Sequence, residues 1–255
     1  MGSIADKLSK LMETKSAIKS AITAKGVTVS DGDPFSSYAG KIAQIEGGGG
    51  GEAISALIEG TITNYSGNEV NIRERCFYGC NNLVSANFPN AKSIGSYSFS
   101  YCDSLGSLSL PLVTIIPDYG IYGCKVLTTV NLSSVEKIES RGLGNCYDLT
   151  LINLPALSEI DTYAFSYCSS LTSIIILNNN ICKLNGKNAF NGTPIGSGTG
   201  YIYVPKTLVD TYKSATNWTT YATQIRPLED YPEIANIVAT IESAESLKQK
   251  RLPKK

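Results

Sequence analysis

Histidine is absent from this chain. Its absence excludes Ser-His-Asp and Cys-His nucleophilic catalysis, the His-containing zinc sites and the commonest general base. An enzyme would have to rely on carboxylate pairs, and no converging acids stand out. The expectation is a non-enzymatic protein without cofactor or metal. Charge is sparse too: 17% of residues are charged, and 22 basic groups balance 22 acidic ones. A net charge of zero leaves no electrostatic footprint for nucleic acid. No run of 18 apolar residues is present to span a bilayer. The opening MGSIADKLSKLMETK lacks the apolar core of a signal peptide, and Asp6 spoils a myristoylation signal. Folding in a reducing cytoplasm is therefore expected. Two nucleotide motifs also fail: Gly196-x-Gly198-x-Gly200 precedes a strand where a dinucleotide fingerprint opens a helix, and no P-loop occurs.

What the chain does have is a period. Cysteines stand at 80, 102, 124, 146 and 168, each 22 residues from the last. Aligned on them, residues 72–181 give five gapless units. Each opens on an Ile (72, 94, 116, 138, 160), followed five residues later by Phe77, Phe99, Ile121, Leu143 or Phe165. The Cys comes next and a Leu three beyond it, then an apolar pair at 86/88, 108/110, 130/132, 152/154 and 174/176. A period of 20–29 with this spacing predicts a leucine-rich-repeat solenoid, in which coils about 4.8 Å apart stack like residues into ladders. The alternation in Leu105–Leu110 predicts one short parallel strand per coil.

The cysteines themselves have three chemical readings. Zinc needs converging pairs, and Cys76-x3-Cys80 has no second pair. Disulfides within a ladder are disfavoured because neighbouring Cβ vectors run parallel. A reactive thiolate needs a positive neighbour, and of the five ladder cysteines only Cys124 is directly followed by a basic residue, Lys125. The favoured reading is a column of small buried thiols filling a tight turn.

The pattern I-x-x-x-A-F-x-x-C-x-x-L-x-x-I-x-L-P, nearly ideal from Ile160 to Cys168, resembles the BspA-type leucine-rich repeats of bacterial surface proteins and of phages of gut bacteria. Gly120-Ile121 and Gly142-Leu143 depart from the Ala-Phe pair but keep its apolar character. The resemblance spans about residues 54–229. Its closing part, GTGYIYVPKTLVDTYKSATNWTTYATQIRPL, is similar to the C-terminal cap of phage-borne members. It implies a last strand at Tyr201–Val204, with a helix at 207–215 and Trp218 covering the open end. Residues 5–45 are similar to the leading segment of phage tail-fibre and related virion proteins. Together the two resemblances imply a virion component, assembled in the bacterial cytoplasm.

Six segments follow. Residues 1–45 form a helical anchor or oligomerisation segment, in which Ile4, Leu8, Leu11, Lys15, Ile18 and Ile22 make a heptad seam over roughly 30 Å. A parallel trimer suits a fibre. Alternatively this helix packs on its own second helix at 34–45, capped by Asp33 with Pro34 at its first position. Residues 46–52 are a glycine tether. Residues 53–71 alternate around Ser66-Gly67-Asn68 and predict an N-terminal cap hairpin. The five repeats, an irregular last repeat with cap (182–229) and an amphipathic helix with basic tail (230–255) complete the chain. Ile234, Ile237, Val238, Ile241 and Leu247 share one helical face, and its docking place is open.

A solenoid without a catalytic constellation presents a surface. One candidate is the outward side of the strand ladder, including Asn87, Asn131 and Asn153. The other is the turn before each Cys, where Tyr78, Tyr97, Tyr101, Tyr119, Tyr122, Tyr163 and Tyr167 gather. Tyrosine offers a rigid apolar face with a hydrogen-bonding tip, suited to sugars or protein loops. The same rings could instead stack only on each other and serve the fold. The leading functional expectation is a fibre or spike subunit binding a host-surface glycan or protein, alongside other virion proteins. Its alternatives are a structural head fibre or tail adaptor and, third, a bacterial adhesin.

Overall fold

The computed structural model of the protein describes residues 63–238 and 240. The chain divides into Met1–Tyr65 and Ser66–Lys255, and the repeats lie wholly in the second unit. The heptad seam, the second helix, the glycine tether and the start of the cap segment fall outside the described residues.

Each coil carries two strands where the sequence predicts one. The expected strand is the centre of the alternating stretch: Ser85–Asn87, Ser107–Ser109, Thr129–Asn131, Leu151–Asn153 and Ser173–Ile175. The second is a two-residue bridge at the opening Ile: Asn71–Ile72, Ser93–Ile94, Ile115–Ile116, Lys137–Ile138 and Glu159–Ile160. The strand pairings are parallel, and within the five repeats they keep the 22-residue register, as in Leu108 opposite Val130 and Ile116 opposite Ile138. The longer ladder breaks between Thr129–Asn131 and Leu151–Asn153, which belong to different sheets. Val130, the centre of the strand at the break, is only half-buried, whereas Leu108 and Ile152 on either side are buried.

The inward columns are complete. All five opening Ile, the aromatic or aliphatic position five later and the Leu after each Cys are buried. Phe77 stacks on Phe99 at 5.1 Å and 3°, and Phe165 on Phe190 at 5.4 Å and 6°. Each such side chain contributes roughly 1.5–3 kcal/mol by leaving water. The thiols have hydrogen-bonding work inside this core. Cys102, Cys124, Cys146 and Cys168 donate to the carbonyl oxygens of Phe77, Phe99, Ile121 and Leu143, in each case 25 residues back, at 3.0–3.3 Å. They satisfy main-chain acceptors where the turn leaves a carbonyl facing inward. The Cys124 thiol and burial push Cys102 far above the ordinary thiol range, and Cys168 and burial do the same to Cys146.

Two expectations at the ends of the repeats need correction. The cap hairpin does not close about Ser66-Gly67-Asn68: Asn71–Ile72 pairs in parallel with Ser93–Ile94, and the Gly67 N–H is taken by the Asn87 carbonyl. This stretch already follows the path of a coil. At the other end Tyr201–Val204 is not the last strand, since Ile225–Pro227 pairs beyond it. The helix is also shorter than predicted, a 3-10 turn at Lys206–Leu208 leading into Val209–Ser214.

Trp218 does cover the last coil, and the cap supplies the partners that a further coil would. The Tyr212 hydroxyl accepts the Cys182 N–H at 2.8 Å, and Trp218 Nε1 donates to the Cys182 carbonyl at 2.7 Å. Asn217 Nδ2 donates to the Leu184 carbonyl, and the Tyr221 hydroxyl to that of Lys187. An open strand edge is thereby closed by side chains.

Candidate functional site

The turn before each Cys is built from two left-handed residues per coil. The first column, three after the opening Ile, is Arg75, Tyr97, Tyr119, Arg141 and Tyr163, all with φ between 55° and 60°. The second, directly before the Cys, is Gly79, Tyr101, Gly123, Asn145 and Tyr167, continued by Gly192, with φ between 58° and 72°. Left-handed backbone costs about 1–2 kcal/mol for a residue with a Cβ, so tyrosine here is held by its neighbours. Two of the glycines, Gly123 and Gly192, are required by those same rings. A Cβ on Gly123 would stand 3.0 Å from the Tyr101 ring, and one on Gly192 would stand 2.7 Å from that of Tyr167.

Of the seven tyrosines singled out in the sequence, five form one continuous chain of rings. Tyr97 stacks on Tyr119 at 4.9 Å and 9°. Tyr119 meets Tyr122 at 5.0 Å, Tyr122 meets Tyr101 at 5.5 Å, and Tyr101 meets Tyr78 at 5.6 Å, all edge to face. Tyr163 joins through Arg141, whose guanidinium lies 5.6 Å from the Tyr119 centroid and 4.7 Å from that of Tyr163. Tyr167 makes no ring contact among the described residues and instead lies over Gly192. Tyr78, Tyr101 and Tyr167 are 49%, 41% and 55% exposed, while Tyr97, Tyr119, Tyr122 and Tyr163 are half-buried.

The hydroxyls are partly engaged. Tyr122 accepts from Asn145 Nδ2 at 2.9 Å, and Tyr163 from Asn188 Nδ2 at 3.2 Å. Burial, then the neighbouring phenols, raise Tyr122 above the usual phenol range. Sequence reasoning missed the two arginines, Arg75 over Tyr97 at 5.1 Å and Arg141. The signal was present, since both occupy the tyrosine column of the 22-residue register.

Asn87, Asn131 and Asn153 lie apart from the rings on the longer strand ladder, each half-buried. Asn131 Oδ1 accepts the Ser133 N–H at 3.1 Å and thereby shapes its own turn. Asn153 Oδ1 is buried without a hydrogen-bond partner at the ladder break. The last coils of this outward side are also occupied. Residues 232–238 are helical, and Val238 is buried with Ile175 and Tyr203, against Leu151, Leu177, Leu228, Tyr231 and Ile234. The C-terminal helix therefore docks on the solenoid, on the last coils of its own strand ladder. Residues 241–255, with the basic tail, lie outside the described residues.

On the short-strand ladder Lys137 faces three carboxylates, Glu139 at 3.6 Å, Glu159 at 3.3 Å and Asp161 at 3.6 Å. Asn185 donates to both Glu159 and Asp161. Asn185, then Lys137, hold the Glu159 carboxyl below its usual range. Among the described residues no group of three or more His, Cys, Asp or Glu side chains is arranged to hold a metal ion. No described helix is long and apolar enough to cross a membrane.

Stacked parallel coils with Ile, Phe and Leu columns define a leucine-rich repeat solenoid. Within it, residues 70–196 match the BspA type leucine rich repeat region in six copies. Among solved structures the chain is similar to a leucine-rich repeat protein from Bacteroides ovatus, at 26% identity and a TM-score of 0.50, covering 65% of this chain and 42% of that one. It is also similar to a leucine-rich repeat protein from Eubacterium ventriosum, at 29% identity and a TM-score of 0.40, covering 53% and 36%. A third is a leucine rich cell surface protein from Faecalibacterium prausnitzii, at 25% identity and a TM-score of 0.36, covering 46% and 38%. The chain thus spans less than half the length of each of these three proteins. The comparison with curated proteins yields no significant match.

Proposed function

We propose that this chain is a phage virion fibre or spike subunit whose solenoid binds the bacterial host surface through its tyrosine-arginine stripe. The observation that carries the binding reading is the continuous run Tyr78–Tyr101–Tyr122–Tyr119–Tyr97, exposed at Tyr78 and Tyr101. Rigid rings with free edges and hydroxyl tips present contact area at little entropic cost. The virion reading is supported by the similarity of residues 5–45 to the leading segment of phage fibre proteins. The heptad seam from Ile4 to Ile22 would gather copies, a trimer in the simplest fibre. Weak single contacts then multiply through avidity. The test is adsorption: purified protein should bind host cells and compete with phage for them. Protein that does neither sinks the reading.

A further inference from the structure

Three arginines in the described region lie over tyrosine rings, and one of them differs from the others in how its donors are used. Arg226 sits 4.6 Å from the Tyr201 centroid, and its Nη1 donates to the Thr223 and Ile225 carbonyls. That guanidinium is spent on the fold. Arg75 leans on a single ring, Tyr97, and meets Glu74 at 3.8 Å. Arg141 is held between two rings, those of Tyr119 and Tyr163, and among the described residues no acceptor and no carboxylate engages its N–H groups. The closest acid in sequence, Glu139, is taken by Lys137, as are Glu159 and Asp161.

An arginine clamped on both faces has lost most of its rotamer freedom before any ligand arrives, while its planar fork of donors stays at the edge. That fork matches the two oxygens of a carboxylate or phosphate. Two further donors belong to the same cluster. Tyr122 and Tyr163 each accept an amide hydrogen bond, from Asn145 and Asn188, which leaves the phenolic O–H of each to donate. Tyr101 and Tyr78, the exposed rings of the same run, offer the flat apolar contact that the C–H faces of a sugar take up.

We propose that Arg141, between Tyr119 and Tyr163, is an oxyanion-binding site for an acidic saccharide, bearing either a carboxylate or a phosphate. This deepens the host-surface reading and rests on it for the choice of saccharide.

The experiment is isothermal titration of the full-length chain with three probes: polygalacturonate as the carboxylate source, phosphomannan as the phosphate source, and neutral dextran. Binding of either acidic polymer but not of dextran, weakened by added salt, is the expected result, and the polymer that binds names the source. Arg141→Gln should then weaken binding roughly 10- to 100-fold, as loss of hydrogen bonds to a charged group does. Arg226→Gln should leave it unchanged, and Arg141→Lys should recover only part of it, because an ammonium neither stacks nor forks. Unchanged thermal melting of Arg141→Gln separates loss of the site from loss of the fold. Equal affinity for dextran, wild-type affinity in Arg141→Gln, or no binding of either acidic polymer overturns the proposal. Host-cell binding that persists in Arg141→Gln overturns it while leaving the host-surface reading standing; absence of host-cell binding in the wild type sinks that reading separately.

Discussion

The interior cysteine column and the exterior tyrosine column obey the same 22-residue period, yet they behave as different materials. Inside, Cys102, Cys124, Cys146 and Cys168 each make the same bond to a carbonyl 25 residues back. Outside, the left-handed column before the Cys reads Gly, Tyr, Gly, Asn, Tyr, Gly, and no two neighbours use the position alike. The interior column is uniform because every rung solves one problem, a buried acceptor in a turn. The exterior column varies because its geometry is fixed by the backbone while its side chains face water. Periodicity alone therefore does not separate scaffold from surface; the use of polar groups does.

The largest expected effect lies inside. Phe165→Ala removes a fully buried ring stacked on Phe190 and should cost about 3–5 kcal/mol in urea unfolding. A loss below about 1 kcal/mol would mean that the stacked aromatic column is not what holds the coils together.

Next is the docked helix, which joins an interior-like cluster to an exterior face. Val238→Asp removes a side chain worth roughly 1.5–3 kcal/mol of burial and places a charge against Ile175 and Tyr203. Amides 234–238 should lose hydrogen-exchange protection while the repeats keep theirs. Burial, then Tyr231, hold the Tyr203 phenol above its usual range. Because the folded value is raised, this packing is favoured below the ordinary phenol pKa and is lost as pH rises through the folded one. In Val238→Asp the Tyr203 titration should move down toward an ordinary phenol, read by ultraviolet absorbance. A helix still protected in the variant would break the docking account.

How much of this was legible from the chain alone differs between the two columns. The inward Ile, Phe and Leu columns could be read directly, because a gapless register puts chemically like residues in line. The two-residue strands at Lys137–Ile138 and its equivalents could not, since so short an element carries no alternation. The left-handed turns were half-visible: Gly79, Gly123, Asn145 and Gly192 share a column with Tyr101 and Tyr167, and glycine with asparagine in one column marks positive φ. Tyrosine has no such preference, so it hid the signal. The apolar Leu151 and Ile175 interrupt an outward ladder that is otherwise small and polar, and the structure shows the C-terminal helix packed on them. Arg141 differs in residue type from the tyrosines of its column, so only the 22-residue register places it among them.

Two glycines of the exterior column sharpen the comparison at lower cost. Gly79 and Gly123 both have positive φ, 67° and 72°, but a Cβ at Gly79 meets nothing within 4 Å while one at Gly123 meets the Tyr101 ring. Alanine at either should cost the backbone term of about 1–2 kcal/mol. Gly123→Ala should cost roughly 0.5–1.5 kcal/mol more, the worth of the aromatic contacts that Tyr101 gives up when it moves. Equal losses, measured by thermal melting of the pair, would show that the ring does not depend on the glycine.

The smallest expected change in stability decides the most about the surface. Tyr78 ends the run of rings, is half-exposed, and touches Tyr101 edge to face at 5.6 Å. Its backbone is shared with its neighbours, so Tyr78→Ser removes a ring and little else. Substitutions away from caps, cores and buried polar groups stay within about 0.5 kcal/mol, and this one should too. Host-cell binding should nevertheless fall, because the terminal ring is the most accessible part of the stripe that remains continuous with Tyr101. If Tyr78→Ser melts like an interior variant and binds like wild type, the exterior rings are scaffold after all and the two columns differ only in which side of the wall they brace. If it melts like wild type and binds worse, the tyrosines are spent on recognition, and the interior columns alone carry the repeat.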